Sequence, residues 1–259
     1  MPYVLWSHGV EFYPAMSQTT QTDTRKAADV VRLAQVSQAF NGVCYSTFGE
    51  TGVGTPELEK IVGAVPRPIA AALERKAYFF VPLALSDGDE TVIAERYSLP
   101  LGDRAACHRN YSLGGSQFVF ISTRLMDDKF SVAFEFFINV GHAFVERAGV
   151  SEEFAELAWR QAEGNVRGET SLDAYEFRKQ ATTTGGDEKA RNEYLAAAFS
   201  DAIAIYLLSL TLDFDYYDLR ERDYPLLAPA AMAERLRKIN ELFPANQGYD
   251  FTIHYRRRT

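Results

Sequence analysis

The chain has 259 residues, 47% hydrophobic and 13% aromatic, enough to bury a large core as one big domain or two modest ones. A formal net charge of -8 and a pI near 5.1 argue against a nucleic-acid groove, where a concentrated basic face must replace the counterions along the phosphates. The one dense basic run, Arg256 to Arg258, reads as a solvated tail.

No basic stretch followed by an apolar run of signal-peptide length opens the sequence, and no window approaches the roughly 18 apolar residues of a membrane span. The expectation is a cytoplasmic protein with no membrane partner. Cys44 and Cys107 are too few and too far apart for a disulfide framework or a zinc knuckle, and are expected to be small buried hydrophobes. The four histidines, His8, His108, His142 and His254, include no pair at helical ligand spacing.

Along the chain, Asp23 or Thr24 is placed to cap a helix running to about Phe40, with Ala, Val and Leu recurring at helical spacing. Val43 to Phe48 reads as a strand. Thr55-Pro56 is a helix start, since the proline ring is already set to helical φ. The apolar run Ala77 to Leu85, the turn Ser86 to Asp89 and a second strand-like run, Thr91 to Leu99, together predict a hairpin. Gln117 to Thr123 is a further strand after the turn-forming Gly114-Gly115. Beyond it helical signals dominate, over Lys129 to Ala148, Glu152 to Glu163, Glu188 to Leu210 and Pro229 to Phe243, the last stopped by Pro244. Strands early and helices late make an α+β pattern. No repeat, low-complexity tract or linker divides it, and Thr182 to Asp187 reads as a loop.

The segment that carries chemistry is Glu135-Phe-Phe-Ile-Asn-Val-Gly-His-Ala-Phe-Val-Glu-Arg-Ala-Gly149. In an H-E-x-x-H helix two imidazoles sit one turn apart on one face, and the intervening glutamate aims at the metal-bound water. Here that window reads Ile138-Asn-Val-Gly-His142. A second segment, Asn192-Glu-Tyr-Leu-Ala-Ala-Ala-Phe199, begins its E-x-x-A-x-A-F pattern 51 residues beyond His142, and Ala228-Pro229, with Arg222 shortly before, opens the last predicted helix.

In order and spacing, these three features resemble the anthrax-lethal-factor type of zinc metallopeptidase domain, over roughly Tyr111 to Phe243. The resemblance implies a zincin-like fold spanning residues 1–259 as a single domain, with a sheet-containing lobe over 1–123 and a helical lobe over 124–259. It also implies positions. His142 falls where the family has its second zinc ligand and Glu193 where it has its third, while Ile138 stands at the first ligand and Asn139 at the general-base glutamate. Ile138 has no lone pair to offer a metal, and the Asn139 amide cannot take a proton from water at neutral pH. The family's tyrosine before the ligand glutamate has no counterpart in Gly185-Gly-Asp-Glu188. A pseudo-peptidase without a bound cofactor is the expectation. Rescue of the metal site would need a ligand such as Glu135 or His108.

The simplest arrangement of what remains is a carboxylate-imidazole hydrogen bond between Glu193 and His142, with Asn139 beside it. Two function classes follow. The domain is a protein-binding or accessory module, for which Asp213-Phe-Asp-Tyr-Tyr-Asp-Leu219 is the best candidate patch; a loop with its aromatics tucked onto the core is the bland reading of the same residues. Alternatively, His142 acts as a metal-independent general base oriented by Glu193, with Asn139 holding a small-molecule substrate. Other motifs read as ordinary structure. Gly49 to Gly54 lacks the Lys-Ser/Thr of a phosphate loop and reads as a turn. Ser7-His8 and Cys107-His108 are sequence neighbours, which rarely face each other. Asp127-Asp128 and Glu152-Glu153 suit helix starts, where the macrodipole favours carboxylates.

Overall fold

A computed structural model describes residues 24–86, 88–96, 106–123, 129–183, 187–219 and 223–253. In chain order the strands are β1 (Thr24–Lys26), β2 (Ser37–Gln38), β3 (Cys44–Thr47), β4 (Lys76–Val81), β5 (Leu83–Leu85), β6 (Thr91–Ala94), β7 (His108–Leu113) and β8 (Ser116–Ser122). The helices are α1 (Ala27–Leu33), α2 (Thr55–Gly63), α3 (Arg67–Ala72), α4 (Lys129–Ala148), α5 (Glu152–Glu163), α6 (Leu172–Thr182), α7 (Glu188–Ser209) and α8 (Pro229–Leu242). All described strands precede residue 123 and the long helices follow it, so the α+β expectation holds. No described helix is long and apolar enough to cross a membrane.

The larger sheet runs β2-β3-β4-β8-β7, with β3, β4 and β8 parallel and the outer strands antiparallel to their neighbours. Its central strands are nearly continuous apolar runs because both faces are covered. Tyr78, Phe80, Val119 and Ile121 point into the larger core, and Ala77, Phe79, Val81 and Phe120 point into a second one, the period-2 alternation of a pleated strand. On the first face α4 lays Phe136 edge-on to Tyr78, with ring centroids 4.9 Å apart. On the second face lie α1 and the small sheet β1-β6-β5, through Ala27, Val30, Leu83 and Ile93.

Behind α4 runs α7, which is apolar nearly all round and buried accordingly, with α4, α5, α6 and α8 packed against it. Gly141 of α4 meets Ser200 of α7 at the crossing: a Cβ on Gly141 would lie 2.5 Å from the Ser200 carbonyl oxygen. Only glycine lets the two backbones approach this closely.

Several expectations change. The helix from residue 24 to Phe40 shrinks to α1, because Ser37 and Gln38 pair with Tyr45 and Cys44 across β2–β3. Ladder bonds to a neighbouring strand outweigh local helix spacing. The expected hairpin forms between β5 and β6, but Ala77 to Leu85 breaks at Pro82, and its first part joins the other sheet in parallel. β7, α3 and α6 had not been expected. Cys107 is exposed and Cys44 half-buried, correcting the expectation of two buried thiols. Gly49 and Gly52 have positive φ, as the turn reading of that loop requires. The expectations resting on Ser7, His8, Asp23, Asp127, Asp128, Arg222 and Arg256 to Arg258 lie outside the described residues, as do Leu99 and His254.

Candidate functional site

Helical periodicity sorts α4 into two faces. Val132, Phe136, Val140 and Ala143 are buried, whereas Glu135, Asn139, His142 and Glu146 follow at intervals of four, three and four residues along one polar stripe. At the near end of the stripe His108, the first residue of the edge strand β7, sets its Nδ1 2.6 Å from Glu135 Oε1. Asn139 Nδ2 donates to the Glu135 carbonyl at 2.9 Å and to Glu135 Oε1 at 3.1 Å. Glu135 is well enclosed, with its side chain 14% exposed, while that of His108 is 40% exposed. A carboxylate on Nδ1 fixes the imidazole tautomer and leaves Nε2 as the second ring position for chemistry.

Further along, His142 is exposed and acts electrostatically on the carboxylate of Asp201 in α7. Burial raises the Asp201 pKa above the ordinary carboxylate range, opposed by hydrogen bonds from Ser171 and Thr170 and by His142. The Thr170 hydroxyl donates to Asp201 Oδ2 at 2.7 Å, which ties the start of α6 to α7. A carboxyl with a raised folded-state pKa stabilises the fold fully below the unfolded value and loses that contribution as pH rises through the folded one. Asp201→Asn is therefore expected to gain stability relative to wild type at pH 8, a gain that fades as pH falls towards the ordinary carboxylate range. Urea midpoints at both ends check this, and a variant weaker at pH 8 than at pH 5, relative to wild type, reverses the sign.

Glu193 lies two turns before Asp201 and is half-buried. Its Oε1 is 3.7 Å from Lys189 Nζ, an i,i+4 pair on the helix surface. No hydrogen bond or ion pair joins Glu193 to His142, and Asn139 is bonded to Glu135 instead, so the expected arrangement of these three residues is replaced by two separate clusters. Ile138 is half-buried against the larger core. A zinc ion held in the lethal-factor manner does not fit this donor set. Ile138 has nothing to donate, the Asn139 amide is engaged, and Glu193 faces a lysine; among the described residues no three of His, Cys, Asp and Glu converge on one point.

A polar cluster that sequence reasoning missed sits in the interior. Arg235 of α8 is fully buried and forks onto Glu169, itself fully buried, with Nη1 2.8 Å from Oε2 and Nη2 3.2 Å from Oε1. Arg235 Nε donates to Gln161 Oε1 at 2.8 Å, and Nη2 donates to the Tyr194 hydroxyl at 3.0 Å. The Tyr194 hydroxyl in turn donates to Glu169 Oε1 at 2.9 Å, and Arg178 adds a second guanidinium at 3.1 Å. Burial works against the charge on Arg235, but Glu169 and Tyr194 more than offset it and raise its pKa. Burial likewise pushes the Tyr194 phenol up, so it stays a donor. Every polar head here has partners, which marks a structural clasp between α5, α6, α7 and α8. The only sequence signal was a charge at a helical core position, Arg235, flanked by Met232, Leu236 and Ile239.

In the segment Asp213 to Leu219 two aromatics are tucked onto the core, as the bland reading has it, and one is exposed. Phe214 and Tyr216 pack against the larger core, and the Tyr216 hydroxyl donates to the Leu227 carbonyl at 2.9 Å, while Tyr217 is 52% exposed. Beneath the segment lies a cavity of about 580 Å³. Leu210, Leu212, Pro229, Met232, Leu236 and Ile253 give it apolar walls, and Asp213, Asp215 and Asp250 bring carboxylates to it. That size and lining suit one large side chain or a small molecule. No family model, no curated protein and no solved structure matches this chain.

Proposed function

We propose that the chain is a catalytically inactive, metallopeptidase-like domain of zincin type that works as a protein-binding or accessory module, docking partners at the cavity under Asp213–Leu219. The observation that carries the reading is the donor set at the relict motif. Ile138, the engaged Asn139 amide and the absence of a tyrosine before Glu193 take away first ligand, base and tyrosine together, and Glu193 pairs with Lys189, while a cavity of recognition size lies elsewhere on the helical half. Loss of three chemical roles at once is what release from catalysis produces, and an aromatic-rich pocket is what a docking surface needs.

Elemental analysis of the purified, unchelated protein beside a His142→Ala variant tests the reading. Substoichiometric zinc, unchanged by the substitution, is the expected result. Near one zinc per chain, lost in the variant, sinks it.

A second reading, metal-independent chemistry on a small molecule, draws support from His108, Glu135 and Asn139 rather than from His142 and Glu193. Their geometry is that of an imidazole held by a carboxylate. It requires a turnover that Glu135→Gln abolishes while leaving the urea midpoint in place.

A further inference from the structure

We infer that the chain self-associates through β7, two copies joining edge to edge so that each five-stranded sheet continues into the other. This association uses the sheet and is separate from what the helical half binds.

Sheet register decides which backbone groups of β7 are free. The Ser122 N–H donates to the Cys107 carbonyl at 2.8 Å, so the hydrogen-bonded pairs of this antiparallel ladder fall on the odd-numbered residues of β7, Arg109 with Phe120, Tyr111 with Phe118 and Leu113 with Ser116. In β8 the alternate residues turn the other way, as the Gln117 N–H does in donating to the Arg75 carbonyl at 2.8 Å. His108, Asn110 and Ser112 therefore point their N–H and C=O groups away from β8, and no described residue offers those groups a hydrogen bond. All three residues are exposed. Such an edge is a template for another strand, and proteins ordinarily blunt it with proline, lysine, a bulge or sheer brevity. β7 contains no proline or lysine, and its register with β8 runs through six pairs without a bulge. Its one permanently charged side chain, Arg109, is held 3.1 Å from Asp89. The opposite edge of the sheet, β2, is blunted by being two residues long.

A second copy suits this edge because the strand is complementary to itself. With the two-fold axis at Asn110, His108 of one copy lies across from Ser112 of the other, an imidazole beside a hydroxyl, and Arg109 lies across from Tyr111, a guanidinium against a ring. No like charges face each other. Moving the axis to Arg109 would instead set two guanidiniums opposite one another, and like charges across a ladder are unfavourable. Even-numbered side chains of β7 share the face on which His108 meets Glu135, and odd-numbered ones the face on which Tyr111 meets Phe120, so the pairing disturbs neither core. One strand pair buries less than the roughly 1,200 Å² of a standard interface, and a charge of -8 on each copy opposes their approach. The dimer is therefore reversible and tightens as salt screens that repulsion.

Sedimentation velocity of the full chain between about 5 and about 200 µM, with amide exchange along β7 read by NMR, tests the inference. The expected mass rises with concentration towards twice 29.1 kDa, more readily in high salt than in low. Amides of His108, Asn110 and Ser112 should become slow to exchange only as the dimer forms, whereas those of Arg109 and Tyr111 are slow throughout. Asn110→Lys places two ammonium groups across the axis, and Asn110→Pro removes an outward donor while sparing every bond to β8. Each should weaken the dimer at least about tenfold and leave the urea midpoint in place. Tyr111→Pro, which breaks a bond to Phe118, should lower that midpoint.

A single-chain mass at the highest concentration overturns the inference, and so does a dimer that survives both Asn110 variants, whose contact must lie elsewhere. A single-chain mass with slow outward amides gives the edge to another segment and equally overturns it. Equal losses of stability in Asn110→Pro and Tyr111→Pro would reverse the facing of the strand, with the same consequence.

Discussion

Glu169→Ala is expected to cost about 3–5 kcal/mol, a large part of the stability of an ordinary domain. The reason is what it leaves behind. Arg235 is fully buried, and without Glu169 its guanidinium keeps only Gln161 and the Tyr194 hydroxyl, neither of them charged. Arg178 loses the same carboxylate. Replacing both members of the pair, Glu169→Met with Arg235→Leu, should cost much less than the two single losses added together, because no charge is then left stranded. Urea unfolding followed by tryptophan fluorescence measures all four corners of the cycle. A single-variant loss below about 1 kcal/mol would mean that water reaches Arg235, contrary to its enclosure between α5, α7 and α8.

The neighbouring residue gives the second large effect. Gly168 has φ of +78°, and a Cβ placed there would lie 2.0 Å from the Leu226 carbonyl oxygen and 2.4 Å from that of Pro225. Both are backbone atoms. They belong to the stretch that receives the Glu169 strand-like bridge, where Glu169 N donates to Pro225 O at 3.0 Å and Leu227 N to Glu169 O at 2.9 Å. Gly168→Ala must pay the left-handed strain and also push two chain segments apart, for an expected loss of about 2–4 kcal/mol. Gly52→Ala is the control. Its φ is +68°, but nothing lies within 4 Å of the added carbon, so it pays strain alone, about 1–2 kcal/mol. Equal losses at the two positions would show that the segments bearing Gly168 and Leu226 are not in contact. Because Gly168 positions Glu169, its effect should not add to that of Glu169→Ala.

The two predictions concern one device. Residues 167–169 run beside 225–228 and bring Glu169 to the point where α8 delivers Arg235. The clasp thus joins segments far apart in the chain, on the helical half that also holds the cavity. Met232 and Leu236 line the cavity from the same helix that carries Arg235. Weakening the clasp should therefore loosen the cavity before it disturbs the sheet, whose own core is separate on its second face.

The residue pattern alone placed α4, α5, α7 and α8 to within a residue at each end: apolar positions recur every three or four residues in α4, α5 and α8, α7 is a long alanine-rich apolar run, and α5, α7 and α8 start with acidic residues or proline. It also showed that Ile138 can ligate no metal and that the Asn139 amide can act as no general base, in any fold. Strand pairing, in contrast, came from contacts between segments separated in the chain. Ser37 and Gln38 left a helical pattern for a strand because β3 offered them ladder bonds, and Ala77 to Leu85 divided between two sheets at Pro82. β7 is polar and exposed, so it has no apolar signal, and it exists because β8 pairs with it across the Gly114-Gly115 turn. The same holds for the candidate sites. Glu135 had been placed on its helix, but that it meets His108 depends on where the edge strand β7 runs beside α4, and that Asp201 rather than Glu193 feels His142 depends on how α4 crosses α7, closest at Gly141 and Ser200. The Glu193–Lys189 pair, by contrast, is i,i+4 spacing within α7 and could be read from the sequence.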